Sequence, residues 1–186
     1  GSDPTILNCI FEDNYSEAGG GAIAIGSGSH VRIAHCTFEG NSSRLAGGAL
    51  LNRGEADIVD SDFTFNYSAT SGGGLAVLDG RGEYAYLRVD CNQAYLVGGG
   101  IFITNNFQNN FYNCRVSWNG TGAEGAGVYS AYARPAFYNC TIGLNTSTTH
   151  GGIYAEGTYA PVLMNCIVYG NGGPGLFSDT TPMIVT

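Results

Sequence analysis

The stretch FYNCRVSWN (residues 111–119) returns 26 residues later as FYNCTIGLN (residues 137–145). Aligning the rest of the chain on the closing asparagine gives Asn14, Asn41, Asn66, Asn92, Asn119, Asn145 and Asn171, at spacings of 27, 25, 26, 27, 26 and 26. A fixed period of this size is the mark of a stacked-repeat architecture, in which each repeat buries its apolar face against the next.

Three apolar columns keep the same phase. Three residues before each asparagine stand Phe11, Phe38, Phe63, Val89, Val116, Ile142 and Val168. Further upstream run Ile6, Ile33, Ile58, Tyr84, Phe111, Phe137 and Leu163, and downstream run Ile23, Leu50, Leu75, Ile101, Val128, Ile153 and Leu176. Within a repeat the apolar residues alternate with a period of two, as in Ile23/Ile25 and Leu75/Val77, which excludes helical repeats and indicates strands. The expected fold is all-β: a right-handed parallel β-helix of seven coils of 26 residues, with three short strands per coil. Successive coils stack about 4.8 Å apart, so the rod is roughly 34 Å long.

Composition agrees. The 186 residues include 30 Gly, 12 Tyr and 9 Phe, and only 12% are charged, a balance suited to strands and turns. All seven cations are arginine and the net charge is −8, which argues against a nucleic-acid groove or an anionic membrane surface. No apolar run reaches the roughly 18 residues of a membrane-spanning helix, so no membrane insertion of this segment is expected.

The repeat also assigns polar columns. An inward asparagine at a turn can bond its counterpart in the next coil and satisfy nearby backbone groups. The column Asn8, His35, Asp60, Tyr86, Asn113, Asn139 and Asn165 suits a one-residue bend in the left-handed region. Sequons at Asn14, Asn41, Asn66, Asn119 and Asn145 fall on the inward ladder and read as turn consensus, not glycosylation. Cys9, Cys36, Cys114, Cys140 and Cys166 share one inward column with Ser61 and Leu87, whereas Cys91 falls out of phase. In-register parallel side chains point alike, so free buried thiols are expected rather than disulfides.

FEDN (11–14), FEGN (38–41) and FTFN (63–66), each followed by a stretch such as GGAI (20–23) or GGAL (47–50), resemble the repeats of the chlamydial polymorphic membrane proteins. NCTI (139–142) and NCIV (165–168) are similar to the wider pectate-lyase-like superfamily of right-handed β-helices. The resemblance covers Thr5 to Pro182. It implies an extracellular or cell-surface solenoid, commonly adhesive, in a superfamily that also holds polysaccharide lyases and hydrolases.

Candidate sites follow from the columns. Phe102, Tyr129, Tyr154 and Phe177 form a continuous outward aromatic row, a strip suited to sugar rings or a protein partner. The alternative is the strand propensity of aromatics. Asp62, Arg88 and Asp90 fall in one outer patch and are the candidate catalytic group if the chain cleaves a polysaccharide; the competing reading is an inter-coil salt-bridge cluster. Glu12 and Glu39 stack as like charges that either stay solvated or are bridged by calcium. Otherwise no cofactor is expected, and His30, His35 and His150 lie out of phase with one another.

The expected function is a non-catalytic segment of a secreted or cell-surface protein that meets a glycan or a surface protein; a polysaccharide-active enzyme is the alternative. Residues 1–186 read as one domain cut from a longer chain. Gly1-Ser2 reads as a tag scar and Met183–Thr186 as the start of an eighth coil. Neither Pro4-Thr5 nor the final residues read as a cap, so end-to-end stacking is expected.

Overall fold

The structure, a computed structural model, describes residues 2–105 and 108–186; Gly1, expected to belong to a tag scar, lies outside them. It is a parallel β-helix without helical segments among the described residues. Each coil begins on a first sheet, whose strands run from Thr5–Leu7 through His30–Ala34 to Val162–Met164, with Ile184–Val185 pairing onto the last. The chain then turns into a second sheet, running from Ile10–Glu12 to Ile167–Tyr169. The third long face runs from Ile23–Ile25 to Leu176–Ser178.

Between the second sheet and this last face lies a ribbon of two-residue strands that the three-strand expectation omits. It runs from Tyr15–Ser16 through Tyr67–Ser68 to Gly120–Thr121. These strands are too short to show an alternating pattern, so the sequence carries them only as the residues after each ladder asparagine.

Register follows the columns. Phe63 pairs with Phe38 on one side and Val89 on the other, and Leu75 pairs with Leu50 and Ile101. The coil spacing is visible in the stacked rings: centroids lie 4.9 Å apart for Phe11–Phe38, 4.6 Å for Phe38–Phe63 and 4.8 Å for Phe111–Phe137.

Aromatic bulk changes wall partway along the rod. In coils two and three, buried Phe38 and Phe63 on the second sheet accompany Ile33 and Ile58 on the first. In coils four to six the order reverses, with Tyr84, Phe111 and Phe137 on the first sheet and Val89, Val116 and Ile142 on the second. One large and one branched residue per coil fill a cross-section of constant size, as close packing requires. Each fully buried ring contributes about 1.5–3 kcal/mol. The tyrosine in this series brings a hydroxyl into the core, where it accepts a hydrogen bond from Nδ2 of buried Asn52 at 3.1 Å.

Two corner columns adopt left-handed backbone. Asn8, His35, Asp60, Tyr86, Asn113, Asn139 and Asn165 all have φ between 47° and 55°, matching the bend read from the sequence. A second column, Asp13, Gly40, Phe65, Cys91, Trp118, Leu144 and Gly170, does the same at φ 53–65° immediately before the ladder. The ladder asparagines close this corner. Nδ2 of Asn66 donates to Oδ1 of Asn92 at 2.9 Å and to the Phe38 carbonyl at 3.0 Å, and the pattern repeats in the neighbouring coils. Asn41, Asn66, Asn119 and Asn145 are buried in these bonds, which makes their sequons inaccessible. Asn14, in the first coil, is exposed but also donates through Nδ2 to Asn41.

Candidate functional site

The second sheet turns Asp62 and Arg88 outward in register, and the two form a forked ion pair at 3.0 and 2.8 Å. Asp90 does not join them. It is nearly buried, and Arg115 reaches back from the next coil to hold it. The expected patch is therefore two separate arginine–carboxylate pairs, because each acid has a guanidinium one coil further along. The hydrogen bonds it donates to Asp62 raise the Arg88 guanidinium above its ordinary pKa, so it remains a cation and is unsuited to act as a base. Neither carboxylate is left free to serve as an acid or base opposite the other.

Glu12 and Glu39 pair in register on exposed strand positions. Among the described residues no three acidic, histidine or cysteine side chains gather as a metal cage. The two glutamates alone supply fewer oxygens than the six to eight that calcium takes.

The row Phe102, Tyr129, Tyr154 and Phe177 forms as register demands but lies deeper than expected. Tyr129 and Tyr154 are each only 8% exposed and make a satellite core with Ala131, Val97 and Phe102. Their hydroxyls are occupied, Tyr129 donating to Glu156 at 2.6 Å and Tyr154 to Asp179 at 2.7 Å. The rings stack face to face along the rod, 5.1 Å apart for Tyr129–Tyr154 and 5.3 Å for Tyr154–Phe177. The His150 ring lies 4.1 Å from that of Phe177. Only Phe177, at 36%, reaches solvent to a substantial extent. The row packs turns onto the rod, and its two central rings are covered rather than exposed.

The other two histidines meet carboxylates of the following coil, His30 with Asp57 at 3.0 Å and His35 with Asp60 at 2.8 Å. All six cysteines are free.

A different surface carries exposed aromatics. Phe65 and Trp118 occupy the left-handed corner and are each 63% exposed. Beyond the ladder, Tyr67 and Tyr95 flank a recess of about 390 Å³ that also takes in Gln93, Leu96 and Gly122. The sequence columns missed this site because it arises on the two-residue ribbon. Its available signal was the run Ala69, Tyr95, Gly122, a large ring between two minimal side chains in successive coils.

Among the described residues no helix is long and apolar enough to cross a membrane. A family model described as "Right handed beta helix region" matches residues 47–185. Neither the curated proteins nor the solved structures contain a match.

Proposed function

Because the chain belongs to the right-handed β-helix family, and the candidate catalytic carboxylates Asp62 and Asp90 are each bound to an arginine, we propose that it is a non-catalytic segment of a secreted or cell-surface protein. In this reading it is a stiff rod whose sides meet a glycan or a partner protein. The observation that carries it is the pairing of Asp62 with Arg88 and of Asp90 with Arg115. Cleavage of a glycosidic bond needs an acid and a base free to face each other across the substrate.

The even coil length supports the same reading, since functional clefts are built from long loops at turns and the spacing between ladder asparagines varies only from 25 to 27. Placement outside the cell rests on the likeness of the FxxN and GGA repeats to surface solenoids.

The test is incubation with a panel of plant, algal and bacterial polysaccharides, scored for reducing ends, for unsaturated products and for retention of the protein on the polymer. Retention without product is the expected result. Product formed by the intact chain and absent from an Asp62→Ala/Asp90→Ala variant would establish the enzyme in its place.

A further inference from the structure

We propose that the recess between Tyr67 and Tyr95 is a binding site for a neutral saccharide. This rests on the reading of the rod as a non-catalytic binding segment and names where and what it binds.

The recess comes from a step in the surface. Along the short ribbon, Tyr67 pairs with Gln93 and Gln93 with Gly120, so the outward side chain shrinks to nothing in coil five. One residue beyond the paired Ser68, Ala94 and Thr121 come Ala69, Tyr95 and Gly122, again a ring with a minimal residue on either side. Tyr95 thus stands proud of both neighbours and is 67% exposed. Gly122 is required by this geometry, since a Cβ there would come within 2.8 Å of the Tyr95 carbonyl oxygen.

Ring faces separate this site from the other aromatic rows. Tyr112 and Tyr138 stack at 5.0 Å with an interplanar angle of 11°, so the faces between them are covered. Tyr67 and Tyr95 stack on no ring among the described residues, line the recess and are 40% and 67% exposed. An open aromatic face beside hydrogen-bonding groups is the chemistry that holds the apolar face and the hydroxyls of a pyranose. The Gln93 amide and the two phenol hydroxyls supply those groups.

Charge selects the saccharide class. The chain carries a net charge of −8, yet every residue lining the recess is uncharged. No cation waits there for a uronic acid or a sulfated sugar, and the field of the protein repels both. The volume, about 390 Å³, is at the low end of the roughly 300–1,000 Å³ found for small-ligand sites, which suits one or two sugar units rather than a folded partner.

The adjoining corner supports the assignment. Coils one, two and seven fill the left-handed position with Asp13, Gly40 and Gly170, residues that adopt it readily, whereas coils three and five place Phe65 and Trp118 there. A bulky residue in this conformation is strained. Exposed as they are, these rings return little burial for that strain, and Phe65 stands two residues before Tyr67 in the same coil.

The experiment is titration of the whole chain with cello-, manno- and galacto-oligosaccharides, followed by Tyr67→Ala, Tyr95→Ala, the double variant and a Tyr112→Ala control. Thermal melts confirm that each variant is folded. At least one neutral series binds in the expected result, each single substitution weakens it about three- to tenfold, the double variant abolishes it, and the control leaves it unchanged. Neutral-sugar binding that survives the double substitution overturns the site but leaves the non-catalytic reading intact. Binding confined to acidic glycans, or to a protein with no saccharide bound, overturns it equally. Product release in the polysaccharide assay bears on the non-catalytic reading alone.

Discussion

The backbone N–H and the side-chain Nδ2 of Asn92 both donate to one atom, Oδ1 of Asn119, at 2.9 and 3.1 Å. The second Nδ2 proton goes back to the Phe63 carbonyl at 2.8 Å, while Oδ1 of Asn92 receives the matching pair from Asn66. One amide thus closes the corner of three coils. Asn92→Ala takes the partner from the Asn66 backbone N–H and from one of the two Nδ2 protons of Asn66 (the other keeps the Phe38 carbonyl), and removes the side-chain bond to the Phe63 carbonyl, all in a buried site, at a cost of about 1–3 kcal/mol for each group left without water. Urea unfolding should show a loss of roughly 3 kcal/mol or more for Asn92→Ala, and less than about 1 kcal/mol for the exposed Asn14→Ala. Equal losses at the two positions would show that the ladder is ornamental.

The cysteine column behaves as a second, weaker ladder. Sγ of Cys140 accepts the backbone N–H of Cys114 at 3.4 Å and donates to the Tyr138 carbonyl at 3.3 Å. In another coil a serine does the same work: Oγ of Ser61 accepts from the Cys36 N–H at 3.1 Å and donates to the Val59 carbonyl at 2.9 Å. Cys140→Ser should therefore stay within about 1 kcal/mol of the parent, while Cys140→Val leaves the Cys114 N–H unpaired and costs about 1–3 kcal/mol. The Cys114 thiol beside it, together with burial, pushes the Cys140 pKa well above its ordinary value. A maleimide should accordingly modify Cys140 only after unfolding. Rapid modification of the native protein at this residue would contradict the inward column.

How much of this was legible in the sequence depends on what each feature is made of. The asparagine and Phe/Val columns repeat the same residue types, so their period alone gave the coil, the register and the inward faces. The corner at Asp13, Gly40, Phe65, Cys91, Trp118, Leu144 and Gly170 repeats a backbone conformation instead, through residue types that share no preference for it. The row from Phe102 to Phe177 was placed correctly but at the wrong depth. Its burial depends on turns that fold over it, as when Val97 packs against the cluster and His150 meets Tyr154, and a period says nothing of where a turn leans. The Tyr67–Tyr95 recess is defined by missing side chains, Gly120 and Gly122, which an alignment of what is present passes over.

The two ion pairs of the second sheet differ in burial and so should differ in worth. In the Asp62–Arg88 pair both side chains are well exposed, and such pairs contribute about 0–1 kcal/mol. The Asp90 side chain is 7% exposed and bound by Arg115. Its hydrogen bonds to a charged partner contribute roughly 1.5–3 kcal/mol. Asp62→Ala should be nearly neutral, with its small effect fading in molar salt. Asp90→Ala should lower the unfolding free energy measurably at any ionic strength. The reverse order would mean that the Asp62 fork, not burial, governs the stability of this face.

Alkaline unfolding reports on the buried tyrosines. Burial is the main cause that raises the pKa of Tyr84, Tyr129 and Tyr154, reinforced at Tyr129 by its bond to Glu156 and at Tyr154 by its bond to Asp179. An unfolded tyrosine releases its proton near pH 10, while these three hold theirs in the folded chain. Above pH 10 the folded state therefore binds more protons than the unfolded one, and stability falls as pH rises. The contribution is complete below pH 10 and is lost as the pH climbs from there towards the raised folded values. Denaturant midpoints should be level from pH 8 to about 9.5 and then decline. Tyr129→Phe, which keeps the ring on Tyr154 and removes the titrating hydroxyl, should make that decline shallower while costing about 1 kcal/mol at neutral pH for the bond to Glu156. An unchanged alkaline slope in Tyr129→Phe would place this tyrosine in solvent, against the satellite core in which the structure puts it.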